Sequence, residues 1–254
     1  MALTLTPLPN IPLVQPGDDL VNLILLGLER ASLTLEDGDI LVLAQKIVSK
    51  AETRLVNLET VTPSPSALEL SKQTGKDPRL AELILRESNE ILRTRPGTAI
   101  VEHRLGFVCA NAGIDHSNVA PLQQPGEWVL LLPENPDRSA AMIRTRLESK
   151  SGKRLGVMII DSHGRAWRLG TVGVAIGLSG LPGLIDERGW QDLFGYTLNI
   201  TVVGVADELA AAASLMMGQA AEGTPIVHVR GFPYPLREGS LQEILRPKEQ
   251  DMFR

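Results

Sequence analysis

The run Leu155-Gly156-Val157-Met158-Ile159-Ile160 is apolar throughout, has the length of a strand, and stops at Asp161. A second apolar run, residues 107–110, stops at Asn111 and gives way to Asp115, His116, Ser117 and Asn118. A fold that holds both runs has two strands, each delivering an aspartate at or just past its end. Such strands can bring both carboxylates to one sheet edge. Taken singly, each aspartate is equally a turn former that closes a strand. Taken together, with the Ser162 hydroxyl beside one of them, they suit a hard cation such as Mg²⁺ or Mn²⁺. Such an ion takes oxygen ligands, few of them from protein and the rest from water and phosphate.

The remaining segments alternate between strand and helix patterns. Asp18-Asp19 caps a helix whose apolar face includes Leu20, Leu23, Ile24 and Leu28, and Gly38-Asp39 turns into a strand over residues 40–44. Asp77-Pro78 opens a helix carrying Leu80, Leu83, Ile84, Glu87 and Ile91, in a region ended by Pro96-Gly97. Short strands are expected over 99–102 and 107–110. Pro136-Asp137 opens a helix with Ala140, Ile143 and Leu147 on one face, ended by Ser151-Gly152. Further strands are expected over 171–176, 198–205 and 226–229. Asp207 is read as the cap of a helix over 208–217, stopped by Gly218. Residues 121–136 read as a Pro-rich loop and a candidate linker. No internal repeat or clean βαβ unit emerges. The expected class is α/β (mixed α+β), with mixed sheets in two intertwined lobes, treated as a single unit over 1–254.

Three more groups of residues bear on chemistry. Lys46 and Lys50 are four apart and share a face on a helical turn, where like charges repel unless an anion sits between them. Phosphate suits that position, and two solvated lysines are the plain alternative. After Gly218, the loop offers small residues, the Gln219 amide and the Glu222 carboxylate, an approach for a ligand or a simple helix cap. Arg165 and Arg168 flank Trp167 and serve either a carboxylate or phosphate, or surface ion pairs. His116 and His163 lie near the aspartates, but the chain lacks the tight His and Cys spacing of a zinc site. There is no Walker A loop, no G-x-G-x-x-G and no G-x-S-x-G elbow. A nucleotide would have to bind outside those motifs.

Composition narrows the partners. A net charge of −5 argues against a general nucleic-acid binder, and an anion-binding site must then concentrate Lys and Arg or use a metal. Aromatics are only 4%, so Leu, Ile, Val and Ala must build the core. Cys109 is the single cysteine, which excludes an intrachain disulfide and reads as a small buried hydrophobe in a reducing compartment. The N-terminus lacks a basic segment followed by a long apolar one. Apolar stretches such as residues 23–28 fall far short of the roughly 20 needed to span a bilayer. The expected location is the cytoplasm, without a membrane or nucleic-acid partner.

Several motifs stand in one order along the chain: Ile11-Pro12-Leu13-Val14, then Gly17-Asp18-Asp19-Leu20, then Gln45-Lys46-x-x-Ser49-Lys50-Ala51-Glu52. Asn111-Ala112-Gly113-Ile114-Asp115-x-Ser117-Asn118-Val119 follows, then Asp161-Ser162-x-Gly164-Arg165-x-x-Arg168-x-Gly170. Gly173-x-Ala175-Ile176-Gly177, Ala206-Asp207-Glu208 and Met217-Gly218-Gln219 complete the set. Together, from about residue 8 to 235, they resemble the coenzyme F-420:γ-glutamyl ligase family.

That resemblance implies a GTP-dependent ligase, active with Mg²⁺ or Mn²⁺ and helped by K⁺. It would join L-glutamate to a deazaflavin precursor, coenzyme F-420-0, through an acyl phosphate, with γ-linkages in later rounds. It implies Asp115 and Asp161 as metal ligands, with Ser162 and Gln219 on a second cation. It implies nucleotide contacts from Gln45, Lys46, Lys50 and Asn118. Two segments would wrap the guanine nucleotide: Ile11, Pro12, Leu13 and Val14, and Met217, Gly218, Gln219, Ala220, Ala221, Glu222, Gly223 and Thr224. It also implies a homodimer. Some relatives carry a further flavin-binding, nitroreductase-like domain, which this chain is expected to lack. The competing readings are a metal-dependent phosphohydrolase using the same aspartates on water, and a non-catalytic nucleotide or deazaflavin binder.

Overall fold

The computed structural model describes residues 2–119 and 125–252. In chain order its strands are β1 (Thr4–Pro7), β2 (Ile40–Ala44), β3 (Leu55–Asn57), β4 (Ser88–Arg95), β5 (Thr98–His103), β6 (Val108–Ala110), β7 (Trp128–Leu130), β8 (Gly156–Arg165), β9 (Arg168–Ser179), β10 (Ile185–Asp186), β11 (Val202–Val203) and β12 (Ile226–Arg230). Its α-helices are α1 (Leu20–Arg30), α2 (Gln45–Ala51), α3 (Pro65–Thr74), α4 (Pro78–Arg86), α5 (Pro136–Ser151), α6 (Val205–Met217) and α7 (Leu241–Ile244).

The main sheet has the order β1-β12-β2-β8-β9. Only β2 and β8 run parallel; the other neighbours are antiparallel, so the sheet is mixed. The apolar run that opened the sequence lies in β8, next to the equally apolar β2. Both strands are covered on both faces, which is why neither alternates with polar residues. Leu41, Leu43, Val157 and Ile159 pack into one core with Ile24 and Leu28 of α1 and Ile143 and Leu147 of α5. Ile40, Val42, Met158 and Ile160 pack into a second core with Leu209, Ala210 and Ala213 of α6. Each Leu, Ile, Val or Met among them, fully buried, contributes about 1.5–3 kcal/mol of transfer free energy.

Two glycines of β9 let the covering helices come close. A Cβ at Gly173 would stand 2.5 Å from the Ala210 carbonyl oxygen of α6, and one at Gly177 would clash with Pro136 of α5. Asp39, almost fully buried before β2, ties in β12. It accepts from His228 Nε2 at 2.8 Å, from Arg230 Nε and Nη2 at 2.9 and 2.7 Å, and from the Glu36 amide at 2.8 Å. A second, three-stranded sheet has the order β4-β5-β6, and β3 pairs with β7.

Helix starts follow their caps. Asp19, Asp77 and Asn135 each accept from the first turn of α1, α4 and α5, and Gly152 ends α5 in the left-handed conformation. Four expectations need correction. The helix from Pro78 stops at Arg86, and Ile91 lies in β4 opposite Val101. Apolar residues at 84 and 91 fit either element, and pairing with β5 across the Pro96-Gly97 turn decides for a strand. Among the described residues, 198–205 contribute only the two-residue β11, because no strand but the short β10 pairs with them, and Ile200 is exposed. Helix α6 begins at Val205, and Asp207 sits in its first turn, accepting from the Ala175 amide at 2.9 Å instead of capping. The Pro-rich stretch is not a linker where it is described: β7 and the buried Leu130 and Leu132 lie in it, while residues 120–124 lie outside the described residues. Among the described residues no helix is long and apolar enough to cross a membrane.

Candidate functional site

Ala44 at the end of β2 is in register with Ile160 of β8. The next residues, Gln45 and Asp161, therefore leave the same edge of two parallel neighbours, the position where α/β sheets commonly hold ligands. Asp161 does not end its strand. It lies inside β8, which continues through Arg165 as a hairpin with β9 beyond the end of β2. Its Oδ2 stands 3.1 Å from His163 Nε2, the next residue on the same face. The His163 ring packs on Phe107 at 5.2 Å, and Phe107 stacks on the buried His103 at 5.0 Å.

Asp115 arrives from the other sheet. After β6 the chain turns through Asn111, Ala112 and Gly113, with φ of 53, 54 and 64°. Left-handed geometry costs about 1–2 kcal/mol at a residue with a Cβ, least at Asn. Here Asn111 Oδ1 accepts from the Ala99 amide at 3.0 Å, and a Cβ on Gly113 would press to 2.7 Å from Leu132. Asp115 then exchanges both backbone hydrogen bonds with Leu130 of β7, at 3.0 and 2.9 Å.

Its carboxylate meets α2. Asp115 Oδ2 accepts from Gln45 Nε2 at 2.6 Å and lies 2.7 Å from Lys46 Nζ. The buried Ser49 hydroxyl donates to Gln45 Oε1 at 2.9 Å, which fixes the amide so that its NH₂ faces the carboxylate. Burial pushes the Asp115 carboxyl above its ordinary range; Lys46 opposes that rise and the charge of Asp161 adds to it. Burial also pulls the Lys50 ammonium down, helped by Lys46. Opposite them, Ser162 Oγ donates to Gln219 Oε1 at 2.9 Å, and Gln219 Nε2 donates to Ser214 Oγ at 3.0 Å. Asn118 Nδ2 donates to the Ala220 carbonyl at 2.9 Å. Glu222 folds back onto its own loop, accepting from the Ala220 amide at 2.8 Å, and backbone amides hold its carboxyl below the usual range.

These residues line two adjoining cavities. The larger, about 600 Å³, is lined by Ile11, Pro12, Leu13 and Val14, by Gln45, Lys46, Lys50 and Asn118, and by Met217 through Thr224. The smaller, about 270 Å³, is lined by Ile114, Asp115, Ser117, His163, Gly164 and Thr171, among others. Lys46, Asp161, Ser162 and Gln219 line both. Every residue expected to contact nucleotide thus faces the larger cavity. Of the expected metal ligands only Asp115 is confined to the smaller one.

Sequence reasoning missed Ser214 and Thr171 and left His163 unassigned. The signal for His163 was its i+2 spacing from Asp161, legible once β8 is known to continue. Cys109 is buried, and burial, with Asp161 nearby, pushes its thiol up to about 12. It packs as a hydrophobe. Among the described residues no three His, Cys, Asp or Glu converge as metal ligands. The donor set is instead two carboxylates, Asp161 where the cavities join and Asp115 in the smaller one, with a hydroxyl and an amide oxygen at the junction. All are oxygen and too few to close a coordination shell, and this fits a hard divalent ion that keeps water and phosphate ligands.

Comparison with known proteins identifies the family. The profile of the F420-0:Gamma-glutamyl ligase family matches residues 9–231. This chain belongs to that family. The coenzyme F420:L-glutamate ligase of Methanothermobacter thermautotrophicus is 49% identical over 257 residues, covering 100% of both chains. That of Methanopyrus kandleri is 48% identical, covering 99% of this chain and 98% of its own. That of Archaeoglobus fulgidus is 43% identical, covering 100% and 97%.

Proposed function

We propose that this member of the F420-0:gamma-glutamyl ligase family joins L-glutamate to the deazaflavin precursor coenzyme F-420-0, using GTP. One observation carries the proposal. Lys46, Asp161, Ser162 and Gln219 belong to both cavities, so a phosphoryl donor in the larger and an acceptor in the smaller would meet at these residues.

The triphosphate, the acceptor carboxylate and glutamate are all anionic, and the site must hold them together. Lys46 and Lys50 supply positive charge on the larger cavity, and the lowered affinity of Lys50 for its proton is relieved when phosphate lies between the two. Asp115 and Asp161 would hold Mg²⁺ or Mn²⁺, with Ser162 and Gln219 turned toward a second cation. When bound, these ions supply charge neutralisation at the phosphates. The acceptor carboxylate oxygen takes the γ-phosphoryl group, releasing GDP and forming an acyl phosphate. The amine of glutamate then attacks the acyl carbon, an amide forms, and phosphate and a proton leave. The protein's part is positioning and electrostatics. The preference for GTP and a dependence on K⁺ rest on the family resemblance. A homodimer is supported by the segment around Trp190, Leu193, Phe194, Tyr196 and Ile200, which exposes large apolar side chains.

The test is an endpoint assay by mass spectrometry with the glutamate-free precursor, L-glutamate, GTP and Mn²⁺. Product heavier by one or more glutamyl units, matched by GDP release, supports the ligase. GDP without that product favours a phosphohydrolase. Neither leaves a binder and overturns the proposal.

A further inference from the structure

The β8–β9 hairpin closes with Arg165 directly opposite Arg168, across the two-residue turn Ala166-Trp167. Like charges facing each other across a strand pair are destabilising. Among the described residues neither guanidinium has a hydrogen bond or ion pair to offset this, although acidic residues outnumber basic ones in the chain, 30 to 25. The surface ion pairs that the sequence left open are therefore absent from the described structure. Both arginines are exposed.

Their position is specific. Gly164 and Thr171, which pair inside Arg165 and Arg168 across a register shift that leaves Leu169 and Gly170 between Arg168 and Thr171, line the smaller cavity. Alternation along β8 puts Arg165 on the face that carries Asp161 and His163, and its cross-strand partner shares that face. At about 3.3 Å per residue, Arg165 lies about 13 Å along the strand from Asp161. A γ-linked glutamyl unit, two methylenes longer than the ~3.6 Å of an α-linked residue, spans about 6 Å. It also keeps its α-carboxylate free. A guanidinium pair is a fitting receptor for such groups, since each fork can take a carboxylate in two parallel hydrogen bonds.

We infer that Arg165 and Arg168 form a carboxylate-binding subsite at the mouth of the smaller cavity, serving the acidic substrates of the ligation. The inference rests on the ligase reading and deepens it. The carboxylates have two sources: the incoming L-glutamate, or glutamyl units already added to the acceptor.

The experiment compares wild type with Arg165→Gln, Arg168→Gln and the double variant. KM is measured for GTP, for L-glutamate, and for the acceptor both without and with one glutamyl unit. The oligomeric state and Tm are followed in parallel. In the double variant, KM for the carboxylate substrate should rise at least about tenfold, the effect of losing one charge-assisted contact. KM for GTP should stay within twofold. A raised KM for L-glutamate in every round assigns the subsite to the incoming amino acid. A raised KM only for the acceptor that already carries glutamate assigns it to the growing tail. Either supports the inference, and Arg→Lys at both positions should recover part of the loss. All KM values within twofold of wild type overturn it. So does an equal rise for GTP accompanied by a lower Tm or an altered oligomeric state, which marks a structural role. If wild type itself forms no glutamylated product, the ligase reading fails before any variant is compared, and the inference falls with it.

Discussion

Ser162 donates to Gln219 across 2.9 Å, joining β8 to the loop after α6 where the two cavities meet. Both oxygens can turn toward a cation, and the bond holds them at the same point meanwhile. Ser162→Ala should therefore lower turnover roughly 10–100-fold and raise the Mn²⁺ needed for half-maximal rate, the usual range for losing a group that orients a metal site. A Mn²⁺ titration of initial rates checks this. An unchanged midpoint with normal turnover would detach Ser162 from the chemistry.

Asp115→Asn tests the carboxylate itself. The variant keeps the shape and the backbone exchange with Leu130. It removes the charge that faces Lys46 at 2.7 Å. Turnover should fall by about 10²–10³-fold, the scale of a lost electrostatic group in a preorganised site. A protein that only binds nucleotide would instead lose metal-linked affinity alone, so GTP binding by calorimetry with and without Mn²⁺ belongs beside the rate assay.

Asn118 bridges the two loops that border the larger cavity, through Ala220, and holds a φ of 57°. Asn118→Gly keeps the backbone free to adopt that angle and loses the side chain, with the bridge it makes, about 1 kcal/mol, and its place on the cavity wall. Asn118→Ala loses the bridge and adds left-handed strain of about 1–2 kcal/mol. KM for GTP should rise in the order wild type, Gly, Ala. Equal values for the Gly and Ala variants would show that the backbone angle is irrelevant to the nucleotide.

Gly173→Ala should destabilise by about 1–3 kcal/mol, since the new methyl meets the Ala210 carbonyl and Ser214 Cβ, both at 2.5 Å. In a chain of this size that lowers Tm by about 2–4 °C per kcal/mol. Gly164→Ala, where a Cβ meets nothing within 4 Å, is the control and should leave Tm nearly unchanged. Differential scanning calorimetry decides between them.

Asp39 gives the protein an acid limit. Arg230 and His228 hold its carboxyl well below the usual range against the opposing effect of burial. Its contribution is fully present above the unfolded carboxyl pKa, about 3.9. It shrinks as pH falls below that, because the unfolded chain takes up a proton that native Asp39 refuses, and it is lost as pH passes through the native pKa. Asp39→Asn should cost about 2–3 kcal/mol at pH 7, less than a fully buried pair because Arg230 keeps contact with water. The gap between variant and wild type should narrow from pH 5 to pH 3 in urea titrations. A constant gap would mean that Asp39 is not the group responsible.

Local chemistry was the most legible part of the sequence. Asp19, Asp77 and Pro136 mark helix starts through groups within a few residues of each other, so no distant partner is needed to read them. The strand β2 was legible in the same way after Gly38-Asp39, whereas α2, which carries Gln45, Lys46 and Lys50, was read only as a helical turn beneath the two lysines. What escaped depended on distant strands. The polar stretch His163-Gly164-Arg165 reads as loop until β9 pairs with it, and Ile91 reads as helix until β5 does. In the reverse case, β-branched residues near 200 invite a strand, but only a two-residue partner lies beside them. The grouping of Asp115 with Asp161 was anticipated from two strand ends, but the sheet edge they were expected to share turned out to be two different sheets.

That separation has a mechanical side. Asp161 rides on the five-stranded sheet, and Asp115 hangs from the three-stranded one through a turn anchored to β7. Among the described residues no strand pairing links the two sheets, so the interval between the carboxylates is set by side chains: those packed between the sheets, and Gln45 and Lys46 just past β2, which hold the Asp115 carboxylate. The pair works as a caliper whose jaws belong to different bodies. A methyl group added or removed deep in that gap, far from any substrate, alters the opening of the jaws directly, and the chemistry at the tips registers the spacing of the whole interior.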